Sequence, residues 1–242
     1  PERWSVEHYL HPYLLILQDE RLQSKPPAND YTTRKLAQVL RWIKQGRGQG
    51  RDEAYRPWMP ITRRFSSPVS HMVFASLSVH RRNHHFLSKL EHHTGLLLAY
   101  LGASEIRECL PLWPTDHPNP IMDGESDMCR GLLELASQHG IEHGVFVGTD
   151  VPYIASLDIM TKLAWEGRNY YIGVSCKPDQ ILEASPRAQE RVELDRLYCK
   201  EVGAHHIHES GASFQATLLK NLESYRPTLS ELLAIAGSSR LE

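Results

Sequence analysis

Three side chains in this sequence could do chemistry together: two carboxylates and a lysine. Glu91 stands in Ser88-Lys89-Leu90-Glu91, at the head of an apolar helical run. Asp158 stands in Ile154-Ala155-Ser156-Leu157-Asp158-Ile159-Met160. Lys177 closes Tyr170-Tyr171-Ile172-Gly173-Val174-Ser175-Cys176-Lys177 and precedes Pro178. Hydrolysis of a phosphodiester needs an activated water and a stabilised leaving oxyanion, and a hard divalent cation held by carboxylates supplies both. Magnesium keeps several of its waters and needs only one or two protein carboxylates. A lysine beside it can orient or deprotonate the water, or stabilise the charged phosphorane.

Each residue also has an ordinary structural explanation. Ser88-x-x-Glu91 is a capping box, in which the glutamate folds back on the helix start. A strand aspartate can simply face solvent, although aspartate is depleted in strands. A lysine at a strand end can snorkel. Helical spacing makes Leu90, Thr94, Leu97, Leu98 and Leu101 the buried stripe and puts Glu91 at its border. Strand alternation puts Leu157 and Ile159 on one face and Ser156, Asp158 and Met160 on the other. It also places Lys177 on the face of Ser175, Gly173 and Tyr171.

The surrounding elements read as an α/β arrangement with a mixed sheet flanked by helices. Leu36, Val39, Leu40 and Ile43 predict an amphipathic helix over residues 34–45, capped by Thr32 or Thr33 and broken by Gly46, Gly48 and Gly50. Residues 1–31 predict a helical segment up to about Gln23, then a break at Pro26 and Pro27. Residues 52–70 read as irregular chain. Strands are expected over residues 71–77, 82–87, 104–110, 154–164, 169–177 and 204–208, with helices over 89–101 and 126–139. The two central strands are joined by a hairpin-like turn, Trp165-Glu166-Gly167-Arg168. Ser185-Pro186 opens another helix, and Gly203 stops it. Two short helical patterns, split by Pro227, fill residues 213–237. The resulting division is an N-terminal helical extension (residues 1–48), a core (49–212) and a short helical tail (213–242).

Composition narrows the function. At 242 residues and 41% hydrophobic, the chain can bury a sizeable core. It has no apolar stretch long enough for a transmembrane helix. Pro1-Glu2-Arg3-Trp4 lacks the pattern of a signal peptide, and the four scattered cysteines read as reduced thiols, so a cytoplasmic location is expected. The net charge is −2, yet residues 33–90 carry 12 Lys or Arg against Asp52 and Glu53. That segment is therefore +10 and the remainder −12, which points to an anionic partner for the first half, unless the cations only solvate a surface helix and loops. Arg47, Arg51, Arg81 and Arg82 are the candidates for phosphate contact. The 14 histidines fit no standard zinc spacing.

Four stretches together resemble the TnsA family, the endonuclease subunits of heteromeric cut-and-paste transposases. The first is Arg41-Trp42-Ile43-Lys44-Gln45-Gly46-Arg47-Gly48-Gln49-Gly50 with Tyr55-Arg56-Pro57-Trp58. The second is His84-His85-Phe86-Leu87-Ser88-Lys89-Leu90-Glu91 with Ile106-Arg107-Glu108-Cys109-Leu110-Pro111-Leu112-Trp113-Pro114. The third runs from Gly140-Ile141-Glu142-His143 to Asp158. The fourth is Val174-Ser175-Cys176-Lys177-Pro178 with Val192-Glu193-Leu194-Asp195-Arg196. The resemblance covers roughly residues 40–210.

It implies a restriction-endonuclease-like core in which Glu91, Asp158 and Lys177 are catalytic. It also implies magnesium dependence, with manganese able to substitute, and cleavage of double-stranded DNA at the 5′ ends of a transposon. The implied partners are a TnsB-like strand-transferase and a TnsC-like ATP-binding regulator. The metal would rest on Glu91, Asp158 and the backbone carbonyl of Cys176, or water. Two departures stand out. The position two before the lysine, where related nucleases offer a carboxylate or glutamine, is Ser175. Only about 30 residues follow the last core strand, too few for the family's C-terminal winged-helix domain. A DNA-binding adaptor that keeps the nuclease fold without cutting, and a stand-alone repair or restriction nuclease, are the competing readings.

Overall fold

A computed structural model of the chain describes residues 31–61, 73–77, 79–80, 82–122 and 127–224. The expected helix over residues 1–23, the region 62–70 and the helical pattern after Pro227 lie outside the described residues.

Helix α1 (Tyr31–Lys44) buries Leu36, Val39 and Ile43 and presents Arg41 and Lys44 in its last turn. Thr32 lies inside this helix rather than capping it. A short hairpin follows, strands β1 (Val73–Ser76) and β2 (Asn83–Phe86), and then helix α2 (Lys89–Tyr100). Strand β3 (Glu105–Leu112) is buried along its whole length. Next come β4 (His117–Pro118), β5 (Met128–Cys129) and helix α3 (Leu132–Gln138). The long hairpin of β6 (Ala155–Trp165) and β7 (Arg168–Cys176) turns at Glu166 and Gly167, both with positive φ, as a two-residue I′ turn demands. Helices α4 (Asp179–Ala184) and α5 (Pro186–Val202) lead to β8 (His205–Glu209). Ser185 caps α5 and Gly203 ends it at φ 82°, as the sequence predicts.

The central sheet has the order β3-β6-β7-β8. Its first three strands are antiparallel, and β8 runs parallel to β7 after the helical crossover. The expected mixed sheet flanked by helices is therefore present. On one face, Leu194, Leu197, Tyr198, Cys199 and Val202 of α5 pack with Leu110, Leu112, Leu157 and Met160. Gly173 permits this closeness, because a Cβ there would meet Cys199 Sγ at 2.3 Å. On the other face, Leu96 and Leu98 of α2 pack with Ile106, Ile159, Val174 and Cys176. A third cluster joins α1 to Trp58, Trp113 and Ile154.

Two readings need correction. Residues 126–139 are not one helix. Met128 and Cys129 pair with Pro118 and His117, and buried Cys129 sits 3.3 Å from His117, so the chain is held extended until Gly131 caps α3. The buried stripe of α2 is also rotated: Leu101 is 57% exposed, while Glu91 is only 6% exposed. The cause is the β1–β2 hairpin. Phe86 packs onto Gly95, where a Cβ would clash at 2.5 Å, so α2 is covered from the hairpin side as well as by the sheet. Glu91 thus lies within the buried face, not at its border.

Candidate active site

Asp158 occupies a break in the sheet. Leu157 and Met160 belong to the α5-side core, whereas Ile159 belongs to the α2-side core, so simple alternation fails between them. Strand β3 breaks at the same level. Ile106 faces the α2 side and Leu110 the α5 side, although four residues should return to the same face. The change falls at Cys109, whose φ is 47°, in the left-handed region that non-glycine residues rarely adopt. The Cys109 carbonyl turns to accept from Trp58 N–H at 3.1 Å. The ladder pairs Glu108 with Ile159 and Leu110 with Leu157, and skips the Cys109–Asp158 level. Freed from regular pairing, the Asp158 carboxylate turns to the end of β7, where Oδ2 accepts from Cys176 N–H at 2.7 Å.

Glu91 arrives from the first turn of α2. Ser88 caps the helix by accepting from Glu91 N–H at 3.1 Å. The Glu91 carboxylate reaches back, but past the cap residue's own amide. It accepts from Leu87 N–H at 2.9 Å and from the Ser88 hydroxyl at 2.9 Å. The serine half of the capping box is therefore made, while the bonds from Leu87 N–H and the Ser88 hydroxyl hold the glutamate inside the protein.

The two acids are held in an unfavourable state. Burial, and then the charge of Asp158, push the Glu91 carboxyl well above the usual carboxylate range; the Leu87 and Ser88 hydrogen bonds and the Lys177 charge act against this. Burial, and then the charge of Asp195, raise Asp158 to about 6, opposed by the Cys176 N–H, Lys177 and Arg191. Asp158 keeps a partial opening to solvent while protein surrounds it. Lys177 follows β7 directly. Its N–H donates to Glu209 O at 2.9 Å, and its carbonyl lies 2.6 Å from His208 Nε2. Its charge acts on both carboxylates and lowers the proton affinity of each.

The other candidates divide. The Cys176 side chain points away, 3.6 Å from Thr94 Oγ1, and burial keeps its thiol protonated, which leaves only its backbone for an ion. Ser175 is buried on the α5 side. Its hydroxyl donates to Asp195 Oδ2 and lies 2.9 Å from His206 Nε2, so it does not line up with Lys177 at the acids. Arg82 does not project outward as a phosphate contact. It makes a paired contact with Glu108 at 2.7 and 2.8 Å and donates to Ile106 O and Asp52 O. Burial alone would raise Glu108, but the bonds from Arg82 and His84 outweigh it and hold the carboxyl at about 2. Arg51 turns inward, to Glu105, Tyr171 and the carbonyls of Pro120 and Met122. Arg47 lies over the Trp42 ring, 4.6 Å from its centroid. Arg81 lies outside the described residues.

Sequence reasoning missed Asp195 as a neighbour of the site. It is buried, it bonds Ser175, and it pairs with Arg191, which also donates to Ser156 O at 3.0 Å. The i, i+4 spacing of Arg191 and Asp195 on a helix was the available signal. Among the described residues, no group of three or more His, Cys, Asp or Glu side chains converges to hold a metal. A pair of buried carboxylates with raised proton affinity still fits a hydrated hard cation, which relieves their repulsion and needs few protein ligands.

No family model matches the chain. Over 165 residues the chain is 31% identical to the transposon Tn7 transposition protein TnsA of Escherichia coli, a match that takes in 68% of this chain and 53% of that protein. The chain is related to the TnsA family. With that relationship, the mixed sheet and its flanking helices are a restriction-endonuclease-like core. The chain spans about half the length of the curated TnsA it matches. Among the described residues, no helix is long and apolar enough to cross a membrane.

Proposed function

We propose that this TnsA relative is a metal-dependent DNA endonuclease of a transposase complex, cleaving at the 5′ ends of the transposon. What supports the reading is a pair of buried carboxylates, Glu91 and Asp158, both with raised proton affinity and both acted on by the charge of Lys177. Glu91, Asp158 and the Cys176 carbonyl would hold magnesium, or manganese in its place. When bound, the ion activates water and stabilises the leaving oxyanion. Asp158 is fixed by the Cys176 N–H, and Glu91 by Leu87 and Ser88, so neither carboxylate must reorganise far. Lys177 would orient the attacking water or offset charge on the phosphorane. Exposed Arg41 and Lys44 in the last turn of α1 are better placed for backbone phosphates than the internally bonded Arg82. A TnsB-like strand-transferase and a TnsC-like ATP-binding regulator would complete the assembly, and the site of action would be the cytoplasm.

A second reading, a DNA-binding adaptor that does not cut, draws on one observation: Ser175 is committed to Asp195 and His206 and adds no ligand. Cleavage of transposon-end DNA with magnesium and the partner subunits separates the two. The endonuclease reading expects 5′-end cuts with wild type and at least a hundredfold less with Asp158→Ala or Lys177→Ala. Equal cutting by all three proteins would rule it out.

A further inference from the structure

The glycine-rich loop after α1 has no part in the site above, yet it forms one wall of a cavity of about 750 Å³. That volume is in the range of pockets that take small ligands. The other walls come from β3 and the chain that follows it, including Arg107, Pro111 and Trp113. None of Glu91, Asp158 and Lys177 lines it.

The wall is built in advance. Gly46, Gly48 and Gly50 all have φ between 72° and 85°. A Cβ at Gly48 would meet Pro111 Cγ at 2.1 Å, so only glycine lets the loop lie against β3. Gly48 N–H donates to Arg56 O at 2.5 Å and Arg56 N–H to Gln49 O at 3.1 Å, which clips the loop to the chain that follows.

Arg107 is the unusual group. It is 3% exposed and lines the cavity. Nη1 donates to Pro120 O at 2.8 Å, and Nε lies 3.3 Å from Glu105. Nη2 is buried with no hydrogen-bond partner. Leaving a charged donor dry and unpaired is costly, and native proteins rarely do so without a reason. Arg51 and Arg56 line the same cavity; Arg51 is committed to Glu105, Tyr171 and the carbonyls of Pro120 and Met122, whereas exposed Arg56 donates one N–H to Gln45 O at 2.8 Å and keeps its other donors for a ligand. Guanidinium groups recognise phosphate oxygens through paired N–H donors. Trp113 and Pro111, both buried, make up the apolar part of the lining.

We infer that this cavity binds the phosphate monoester of a nucleotide, with the phosphate on Arg107 and Arg56 and the base toward Trp113 and Pro111. The same chemistry has two sources, a free mononucleotide and the phosphorylated end of a DNA strand. The inference goes beyond the cleavage reading, because it involves neither catalytic carboxylate.

The test is calorimetric titration of the 242-residue protein with dAMP, with deoxyadenosine, and with a short single-stranded oligonucleotide carrying or lacking a 5′ phosphate. Saturable binding that requires the phosphate, and that weakens at least tenfold in Arg107→Lys, is expected. Because Arg107 is buried, the exposed Arg56→Ala is the companion variant, with a weakening of about fivefold expected. Binding of dAMP as tightly as of the phosphorylated oligonucleotide assigns the free ligand, and binding of the oligonucleotide alone assigns the strand end. The inference is overturned if neither phosphorylated probe binds below millimolar concentration, or if both variants bind like wild type.

Discussion

Asp158→Asn should make the metal-free protein more stable. The folded-state pKa of Asp158 is raised from 3.8 to about 6, first by burial and then by Asp195. A raised carboxylate pKa destabilises the folded state as pH climbs from the unfolded value through the folded one, and the penalty is complete above it. At pH 7 the full shift applies. At about 1.4 kcal/mol per pKa unit its upper limit is about 3 kcal/mol, and the partial solvent opening reduces this to about 1–3 kcal/mol. Asparagine keeps the acceptor for Cys176 N–H and nearly the same shape, so little else changes. For a domain of this size the gain corresponds to a rise of about 2–8 °C in Tm. The assay is thermal unfolding in EDTA at pH 7 and again at pH 4. The gain should be present at pH 7 and much smaller at pH 4, where the folded state keeps the proton and the unfolded state is close to half protonated. A lower Tm for Asp158→Asn at pH 7, or a difference that ignores pH, would refute the reasoning.

Three further predictions concern the scaffold. Arg82→Ala strands the buried carboxylate of Glu108, which is 0% exposed, and should cost about 3–5 kcal/mol in urea unfolding. In wild type that carboxylate is held at about 2, so its contribution is complete above pH 4.5 and disappears as pH falls toward 2; about 3 kcal/mol should be lost across that window. Gly48→Ala places a Cβ 2.1 Å from Pro111 in a backbone with φ 72° and should destabilise by about 2 kcal/mol or more, whereas Gly167→Ala, with nothing within 4 Å, should pay only for its turn conformation.

Much of this was legible in the sequence where local rules govern. Ser185, Pro186 and Gly203 mark both ends of α5, and Glu166-Gly167 marks the hairpin, because caps and tight turns are decided by a few adjacent residues. The rest was hidden because it depends on packing between distant segments. Periodicity placed Glu91 at the edge of a stripe, but the hairpin carrying Phe86 covers α2 from a second side and draws Glu91 inward. Alternation assigned Asp158 a face, but the left-handed turn at Cys109, anchored by Trp58, breaks that alternation. Arg82 counted as free positive charge in the sequence, while Glu108, 26 residues away, takes it up. Each member of the trio lies at the end or break of an element, where a side chain can leave the regular lattice.

The central claim is that Glu91 and Asp158 hold a divalent cation beside Lys177. A crystal soaked in manganese and measured at the metal's absorption edge tests it most directly. An anomalous peak within about 2.2 Å of both carboxylates, with Glu91 released from Leu87 N–H or sharing that bond, is the predicted result. Glu91 still closed on Leu87 and Ser88, with no peak between the acids at saturating manganese, would contradict it.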